Sequence, residues 1–254
     1  MNDAGTLFER CRWPDLAPPY AEALRQAVGF ILARFADTTG IVVSGTILRG
    51  NPAPTSDLDI YVIRQKPQRQ RLQQFFNGVP AEIFVNPAAM VLRYFDEERK
   101  EGRPIAAHML ATGFTVLELD PAVADLRRQA QHSLTLRPDP APQRLTAARY
   151  MAATRYEDAT DIVVDRPEAA NMILGLAVYD MLHYYFLRAN RYLPRDKDLL
   201  DALGRLDAGL AELARDFYGA GSLERRLAIA EQIADCTIET RGFFAWESNP
   251  EDVR

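Results

Sequence analysis

Cysteine and histidine, which build most protein zinc sites, are scarce in this sequence. Its 254 residues include two cysteines, Cys11 and Cys236, and three histidines. The cysteines stand near opposite ends of the chain, without the paired spacing of a structural zinc site or the number that a disulfide framework requires. We therefore expect two free thiols and a site chemistry that does not depend on zinc.

Long apolar runs and an excess of positive charge are also missing. No stretch approaches the ~18 consecutive apolar residues of a membrane span, so we expect a cytoplasmic protein with no membrane partner. The formal net charge of -5 is opposite in sign to a surface that holds long nucleic acid by its phosphates, so no such partner is expected. A hydrophobic fraction of 48% with a charged fraction of 26% is typical of a globular chain.

Hydrophobic periodicity in the first half predicts a small mixed sheet flanked by helices. An amphipathic pattern over residues 20–35 predicts a helix, and a β-branched run at residues 41–43 predicts a strand that ends in a glycine turn. Further strands are expected at residues 57–63, 79–86 and 115–119, and helices at residues 68–76, 88–100 and 105–111. Alternation along residues 79–86 places Glu82 on the polar face of its strand.

Three prolines within residues 138–142 mark a boundary between two domains, because proline continues neither a helix nor a sheet. We place the domains at residues 1–138 and 139–254. The second is almost wholly helical, with helices expected at residues 143–164, 167–190, 196–203, 208–218 and 223–244. The predicted fold class is α/β plus α, a small mixed β-sheet domain followed by an antiparallel helical bundle. The active site is expected between the two domains.

Three acidic residues in the first half form a pattern typical of a magnesium site. Asp57 and Asp59 project from one face of a strand, because side chains at i and i+2 share a face. Two like charges so placed repel each other, and a magnesium ion held by hard oxygen ligands removes that repulsion. If the strand of Glu82 lies beside theirs, Glu82 completes a carboxylate triad for one or two ions.

These acids and the residues before them resemble the motif of the DNA-polymerase-β-type nucleotidyltransferase superfamily. Within it, the chain is similar to small bacterial enzymes that include the aminoglycoside and lincosamide nucleotidyltransferases. The matching positions are Gly45 for the motif glycine, Thr46 where serine is usual, Arg49-Gly50 for a frequent Arg-Gly, and Asp57, Asp59 and Glu82 for the three acids. The motif covers residues 41–86, and the helical second half also resembles the partner domain of that branch.

The resemblance implies metal-dependent transfer of a nucleoside monophosphate to an acceptor hydroxyl. We expect AMP from ATP, or the equivalent from another nucleoside triphosphate, with Mg²⁺ held by Asp57, Asp59 and Glu82. Glu82 is also the expected general base, with an acid on the helical domain, such as Glu157, as the alternative.

Contacts to the triphosphate are implied for a second set of residues. The turn at Gly45 and Thr46 and the hydroxyl of Ser56 are expected to bind it. Arg49 either binds phosphate or forms a surface ion pair, since arginine in a loop suits bidentate anion binding. Lys197, at the start of a predicted helix, either binds phosphate, as such a lysine often does in related enzymes, or only keeps that helix soluble.

The acceptor is expected to be a small, cationic molecule of aminoglycoside-like chemistry. Glu157 and Asp161 share a helix face at i and i+4, and Asp158 adjoins them, so the surface attracts cations. The other interpretations are adenylylation of a protein side chain, a catalytically inactive nucleotide-binding module, and RNA tailing, which the acidic net charge disfavours. The sequence carries no signal for an oligomeric state.

Overall fold

A computed structural model describes residues 4–50, 52–53, 55–248 and 250. The chain divides into two compact units. The first comprises the residues up to Arg99 together with Pro104–Leu136, and the second comprises Lys100–Arg103 and the residues from Arg137 onward. A mixed sheet with helices in the first unit and a helical second unit confirm the predicted α/β plus α class.

Within the described residues, the first unit is built on a five-stranded sheet of order β3-β4-β2-β1-β5. Its strands are β1 (Thr38–Ser44), β2 (Leu58–Arg64), β3 (Gln70–Phe76), β4 (Val79–Pro87) and β5 (Phe114–Glu118). Strands β2 and β4 run parallel, and the other neighbouring pairs are antiparallel. Parallel neighbours need a crossover connection, and here the connection between β2 and β4 contains β3, which forms the far edge of the sheet.

Helices cover both faces of this sheet. They are α1 (Ala4–Glu9), α2 (Tyr20–Arg34), α3 (Ala88–Glu101), α4 (Ile105–Thr112) and α5 (Pro121–Thr135). One apolar core joins α1 and α2 to the sheet face that carries Leu58, Ile60 and Val62, as the alternation predicted. A second core joins α3, α4 and α5 to the opposite face, where Tyr61 and Ile63 lie. Strand β2 is therefore buried on both faces beyond Asp59.

The predicted helix at residues 68–76 is wrong, because these residues form strand β3. Glutamine and arginine favour helices intrinsically, but tertiary pairing with β4 overrides that preference. Asn77 and Gly78 join the two strands with positive φ angles of 47° and 76°, the backbone that a two-residue hairpin turn requires. Helix α5 was not predicted, although Asp120 caps it by accepting a hydrogen bond from the backbone N–H of Ala122 at 2.9 Å.

The second unit is a set of helices around one core. They are α6 (Pro142–Asp161), α7 (Pro167–Arg188), α8 (Leu199–Leu206), α9 (Ala208–Gly219) and α10 (Leu223–Thr237). The fully buried side chains include Leu174, Met181, Leu203, Phe217 and Ile233. Across the described ranges, no helix is both long enough and apolar enough to cross a bilayer.

The helix predicted at residues 223–244 is too long, since α10 ends at Thr237. Glu239 has a φ of 55°, which a continuing helix does not allow. The segment that follows packs along α6 instead: Phe244 lies under the guanidinium of Arg149 at 4.4 Å. Its aromatic residues produced a helical pattern in the sequence while contacting a different helix in the structure.

A partly buried ion pair fixes the end of β2. Arg64 donates hydrogen bonds to both carboxylate oxygens of Asp37, at 3.0 and 2.7 Å, and the backbone N–H of Lys66 donates a third at 2.8 Å. The two side chains are 10% and 16% exposed. The hydrogen bond from Arg64 is the main cause that lowers the pKa of Asp37 from 3.8 to about 2.

This pair gives the fold a defined acid sensitivity. A carboxyl whose pKa is depressed on folding stabilises the protein above its unfolded pKa, and that stability is lost as the pH falls from about 4 towards about 2. We expect Asp37→Asn to lower the free energy of unfolding by about 2 kcal/mol at pH 7 and to flatten its change in that pH window. Urea denaturation across a pH series measures both effects.

The matched control is Asp125→Asn, which breaks an exposed i,i+3 pair with Arg128. Exposed pairs contribute about 0 to 1 kcal/mol, so this variant should retain nearly wild-type stability. Equal losses in the two variants would contradict the role given to Asp37.

Candidate metal centre

The three predicted acids come together at the start of β2. Strand β4 lies beside β2, and the parallel register pairs Asp59 with Glu82. Asp57 immediately precedes β2, on the same side as Asp59. Carboxylate oxygens of Asp57, Asp59 and Glu82 lie within 4.8 Å of one another, and each residue is partly exposed. The adjacency that the sequence analysis required is therefore present.

Burial of the opposite sheet face holds these carboxylates in place. Leu58 pairs with Ala81 and Ile60 with Ile83, and all four side chains are almost fully buried. Because successive side chains of a strand point to opposite faces, this burial forces Asp59 and Glu82 to the other face. The acids thus share one surface as a consequence of core packing.

Gly45 brings the backbone of the preceding turn against Asp59. Its φ of 98° lies in the region that favours glycine, and a Cβ there would stand 2.7 Å from Oδ2 of Asp59. A 3₁₀ turn, Thr46–Arg49, follows directly. The glycine that matched the motif is therefore required both by its backbone conformation and by the close approach of a carboxylate.

Thr46 and Ser56, ten residues apart, meet beside this turn. Their hydroxyl oxygens are 3.2 Å apart, and Ser56 Oγ also accepts a hydrogen bond from the backbone N–H of Ala53 at 2.9 Å. Ser56 is buried, whereas Thr46 is partly exposed. Of the loop that joins them, residues 51 and 54 lie outside the described part of the chain.

The two predicted basic residues lie in different units of the chain. Arg49 ends the 3₁₀ turn with an exposed side chain, and it forms no ion pair with another described residue. Lys197 belongs to the second unit, where it is exposed in the 3₁₀ turn Asp196–Asp198. Their contacts with phosphate stay predictions.

Two residues that the sequence analysis missed hold Glu82 from the outer side. Arg71 donates a hydrogen bond from Nη2 to Oε2 of Glu82 at 2.8 Å, and Gln73 donates from Nε2 to Oε1. Both lie on β3, and the antiparallel register sets Gln73 opposite Glu82. The signal that reveals them is the Asn77-Gly78 turn, since a hairpin there places alternate residues of β3 on the face of Glu82.

The donor set fits a hard divalent cation. All three residues offer carboxylate oxygens, which Mg²⁺ prefers at 2.0 to 2.1 Å, so two oxygens on one ion stand at most about 4.2 Å apart. The carboxylate oxygens of the three residues lie within 4.8 Å of one another, close enough for one ion to contact all three after small side-chain rotations. The Gly45 turn leaves open the space in front of Asp59 that a Cβ would fill.

Comparison with known proteins finds a similar structure but no similar sequence. No protein-family model and no curated protein matches this chain. The crystal structure of a nucleotidyltransferase-like protein from Exiguobacterium sibiricum matches with a TM-score of 0.52 and 14% sequence identity. The match covers 84% of this chain and 74% of that one. At this identity the similarity shows the fold, which is that of a nucleotidyltransferase-like protein.

The turn at Gly45 gives a prediction about metal binding. In Gly45→Ala, backbone strain and the clash with Asp59 should lower the free energy of unfolding by about 1 to 3 kcal/mol. The displaced carboxylate should weaken Mn²⁺ binding, measured by isothermal titration calorimetry, at least ~10-fold, since ~1.4 kcal/mol of lost binding energy is enough.

Gly50→Ala is the matched control, because Gly50 also has a positive φ, of 76°, while a Cβ there meets no described atom within 4 Å. It should lose stability through strain but keep its Mn²⁺ affinity within about twofold. Wild-type Mn²⁺ affinity in Gly45→Ala would contradict the arrangement described.

Proposed function

We propose that this protein is a metal-dependent nucleotidyltransferase that moves a nucleoside monophosphate, AMP from ATP, to a hydroxyl of a small acceptor. One observation carries the proposal: three carboxylates converge beside a glycine turn in a nucleotidyltransferase-like fold. Hard-cation ligands next to a hydroxyl-lined turn suit the binding of a metal triphosphate.

The reaction divides into metal binding and nucleotide transfer. Asp57, Asp59 and Glu82 would hold Mg²⁺, which when bound stabilises negative charge at the α-phosphate and lowers the pKa of the acceptor hydroxyl. The acceptor oxygen forms a bond to the α-phosphorus, the bond from that phosphorus to the bridging oxygen breaks, and pyrophosphate leaves. The hydroxyl proton passes to a carboxylate base.

The hydroxyl pair beside the Gly45 turn suits a phosphate oxygen. Thr46 and Ser56 carry one hydroxyl hydrogen each, and the contact between them uses one of the two. The other remains to donate to a phosphate oxygen, and the backbone N–H of Ala53 already supplies Ser56 with a donor. Thr46, the more exposed of the two residues, is therefore the proposed direct contact. Arg49 and Lys197 are further proposed phosphate contacts.

The metal ligands give the direct test of this function. Asp57→Asn and Asp59→Asn should each lower turnover at least ~10²-fold, because each removes one preorganised electrostatic contact. The measurement is the release of pyrophosphate and the mass of the product, with each nucleoside triphosphate and a panel of amino-sugar acceptors. Asp216→Asn, which removes the same charge from an exposed position on α9, serves as the control for net charge and should turn over normally.

The general base is resolved by a second pair of variants in the same assay. Glu82→Gln should bind nucleotide but lose ~10² to 10⁴-fold in rate, the usual effect of removing a general base. If Glu82→Gln keeps its rate while Glu157→Gln loses it, the base lies on the helical unit. Near-normal turnover in Asp57→Asn or Asp59→Asn would refute the proposed function itself.

The acceptor is proposed to be cationic because acids on α6 are not neutralised. Glu157, Asp158 and Asp161 form no ion pair within the described residues. In contrast, Glu231 and Asp235 on α10 are both paired with Arg241. Carboxylates left without a partner make charge-assisted hydrogen bonds with ammonium groups and repel phosphate-rich acceptors.

A double variant tests this assignment. Glu157→Gln with Asp161→Asn should raise KM for a polycationic acceptor about 10-fold or more and leave the KM for ATP unchanged, and wild-type acceptor affinity should fall with rising salt. The control is Glu212→Gln with Asp216→Asn, which removes the same two charges at the same spacing from α9. Unchanged acceptor affinity, or transfer of label only to a co-purifying protein, would favour adenylylation of a protein side chain.

A further inference from the structure

Arg71 places a cation of the protein itself on one of the candidate metal ligands. Its guanidinium lies 2.8 Å from Oε2 of Glu82 and 4.8 Å from the centre of the Phe84 ring. The Arg71 side chain is 62% exposed, whereas that of Glu82 is 21% exposed. Glu82 therefore accepts a hydrogen bond from the edge strand β3, while its carboxylate also lies near those of Asp57 and Asp59.

The ion pair between Arg71 and Glu82 is weak. Exposed arginine–carboxylate pairs contribute little to stability, because solvent screens the charges and the long side chain loses freedom. A divalent cation at Glu82 would add repulsion against the guanidinium, since like charges a few ångströms apart interact strongly near a protein surface. The ion pair between Arg71 and Glu82 is therefore weaker when a metal is bound than when it is absent.

A nucleoside triphosphate supplies a second anion of higher charge. Guanidinium groups bind phosphate in a bidentate geometry with two parallel N–H···O hydrogen bonds, whereas Arg71 donates a single hydrogen bond to Glu82. On the proposed function, the triphosphate binds at this same surface of the sheet. Arg71 then has a better partner close to the one that it leaves.

We propose that Arg71 alternates between two anions: the Glu82 carboxylate in the nucleotide-free protein, and the triphosphate once a divalent cation has bound at Glu82. The inference rests on the proposed function and adds to it a residue outside the predicted motif. Arg71 competes with the cation for Glu82 when nucleotide is absent, and it binds the nucleotide when the cation is present.

Gln73 has a different part in the same arrangement. It is neutral, so no repulsion from a bound cation drives it off, and it lies directly opposite Glu82 across the β3–β4 ladder. Its hydrogen bond to Oε1 keeps the carboxylate oriented after Arg71 has left Oε2. Gln73 is therefore a positioning residue, while Arg71 is an exchangeable ligand.

The exchange couples metal binding to nucleotide binding. Nucleotide draws Arg71 away from Glu82 and so raises the affinity for the cation, and by reciprocity the cation raises the affinity for nucleotide by the same factor. A protein with this device holds metal weakly until its substrate arrives. The coupling is measured by titrating the protein with Mn²⁺, with and without a non-hydrolysable ATP analogue. Electron paramagnetic resonance detects the free Mn²⁺ at each step.

The decisive variant is Arg71→Gln, with Arg69→Gln as its matched control. Arg71→Gln should bind Mn²⁺ alone about 5-fold more tightly than wild type and bind the analogue about 10-fold more weakly, so the coupling factor falls. Arg69→Gln removes the same charge two residues away, where the guanidinium bonds the hydroxyl of Tyr94, and should change neither affinity more than about twofold. Arg71→Lys keeps the charge and should stay close to wild type for Mn²⁺ alone, but it loses the bidentate contact with phosphate.

Each outcome separates the inference from the proposed function. Weaker Mn²⁺ binding by Arg71→Gln in the absence of nucleotide would show that Arg71 supports Glu82, and equal effects in Arg69→Gln would show a general charge effect. Either result overturns the inference and leaves the proposed function standing. If wild-type protein binds no Mn²⁺ with the analogue present, or Asp57→Asn binds it equally well, the proposed function fails and the inference fails with it.

Discussion

The parallel register between β2 and β4 is the constraint on which the site depends. It sets Asp59 beside Glu82, and the energies show what maintains it. Two carboxylate charges within 4.8 Å of each other repel by at least about 1 to 3.5 kcal/mol, depending on the effective dielectric. Each fully buried aliphatic side chain on the opposite face contributes about 1.5 to 3 kcal/mol. The core residues Leu58, Ile60, Val62, Ile83 and Val85 together outweigh the repulsion, so packing on one face fixes charge on the other.

The sequence predicted those parts of the molecule whose local pattern and tertiary role agree. Strand β4 alternates between buried and partly exposed residues over most of its length, so the position of Glu82 away from the buried face followed from the pattern alone. The convergence of Glu82 with Asp57 and Asp59 also required that β4 lie beside β2, which no local pattern states. The resemblance to a family motif supplied that adjacency, and the strand pairing confirms it.

Strand β3 shows where such prediction fails. Its residues are mostly glutamine, arginine and phenylalanine, and its side chains are largely exposed, so no buried face imposes a period of two. The Asn77-Gly78 turn, and not the composition, determines that this segment is a strand. Arg71 and Gln73 were missed with it. The end of α10 at Thr237 was missed for a related reason. Phe244 fits a helical apolar pattern in the sequence, but in the structure it packs against Arg149 of α6.

Because β3 is exposed, its residues tolerate substitution better than the residues that form the carboxylate cluster. Substitutions at Asp59 or Gly45 disturb close contacts, whereas side chains on an exposed edge strand can be exchanged without opening a cavity or stranding a buried polar group. Charge and hydrogen bonding next to Glu82 are therefore adjustable at small cost in stability. Strand β3 is therefore a place where the charge beside Glu82 can change while Asp57, Asp59 and the core stay constant.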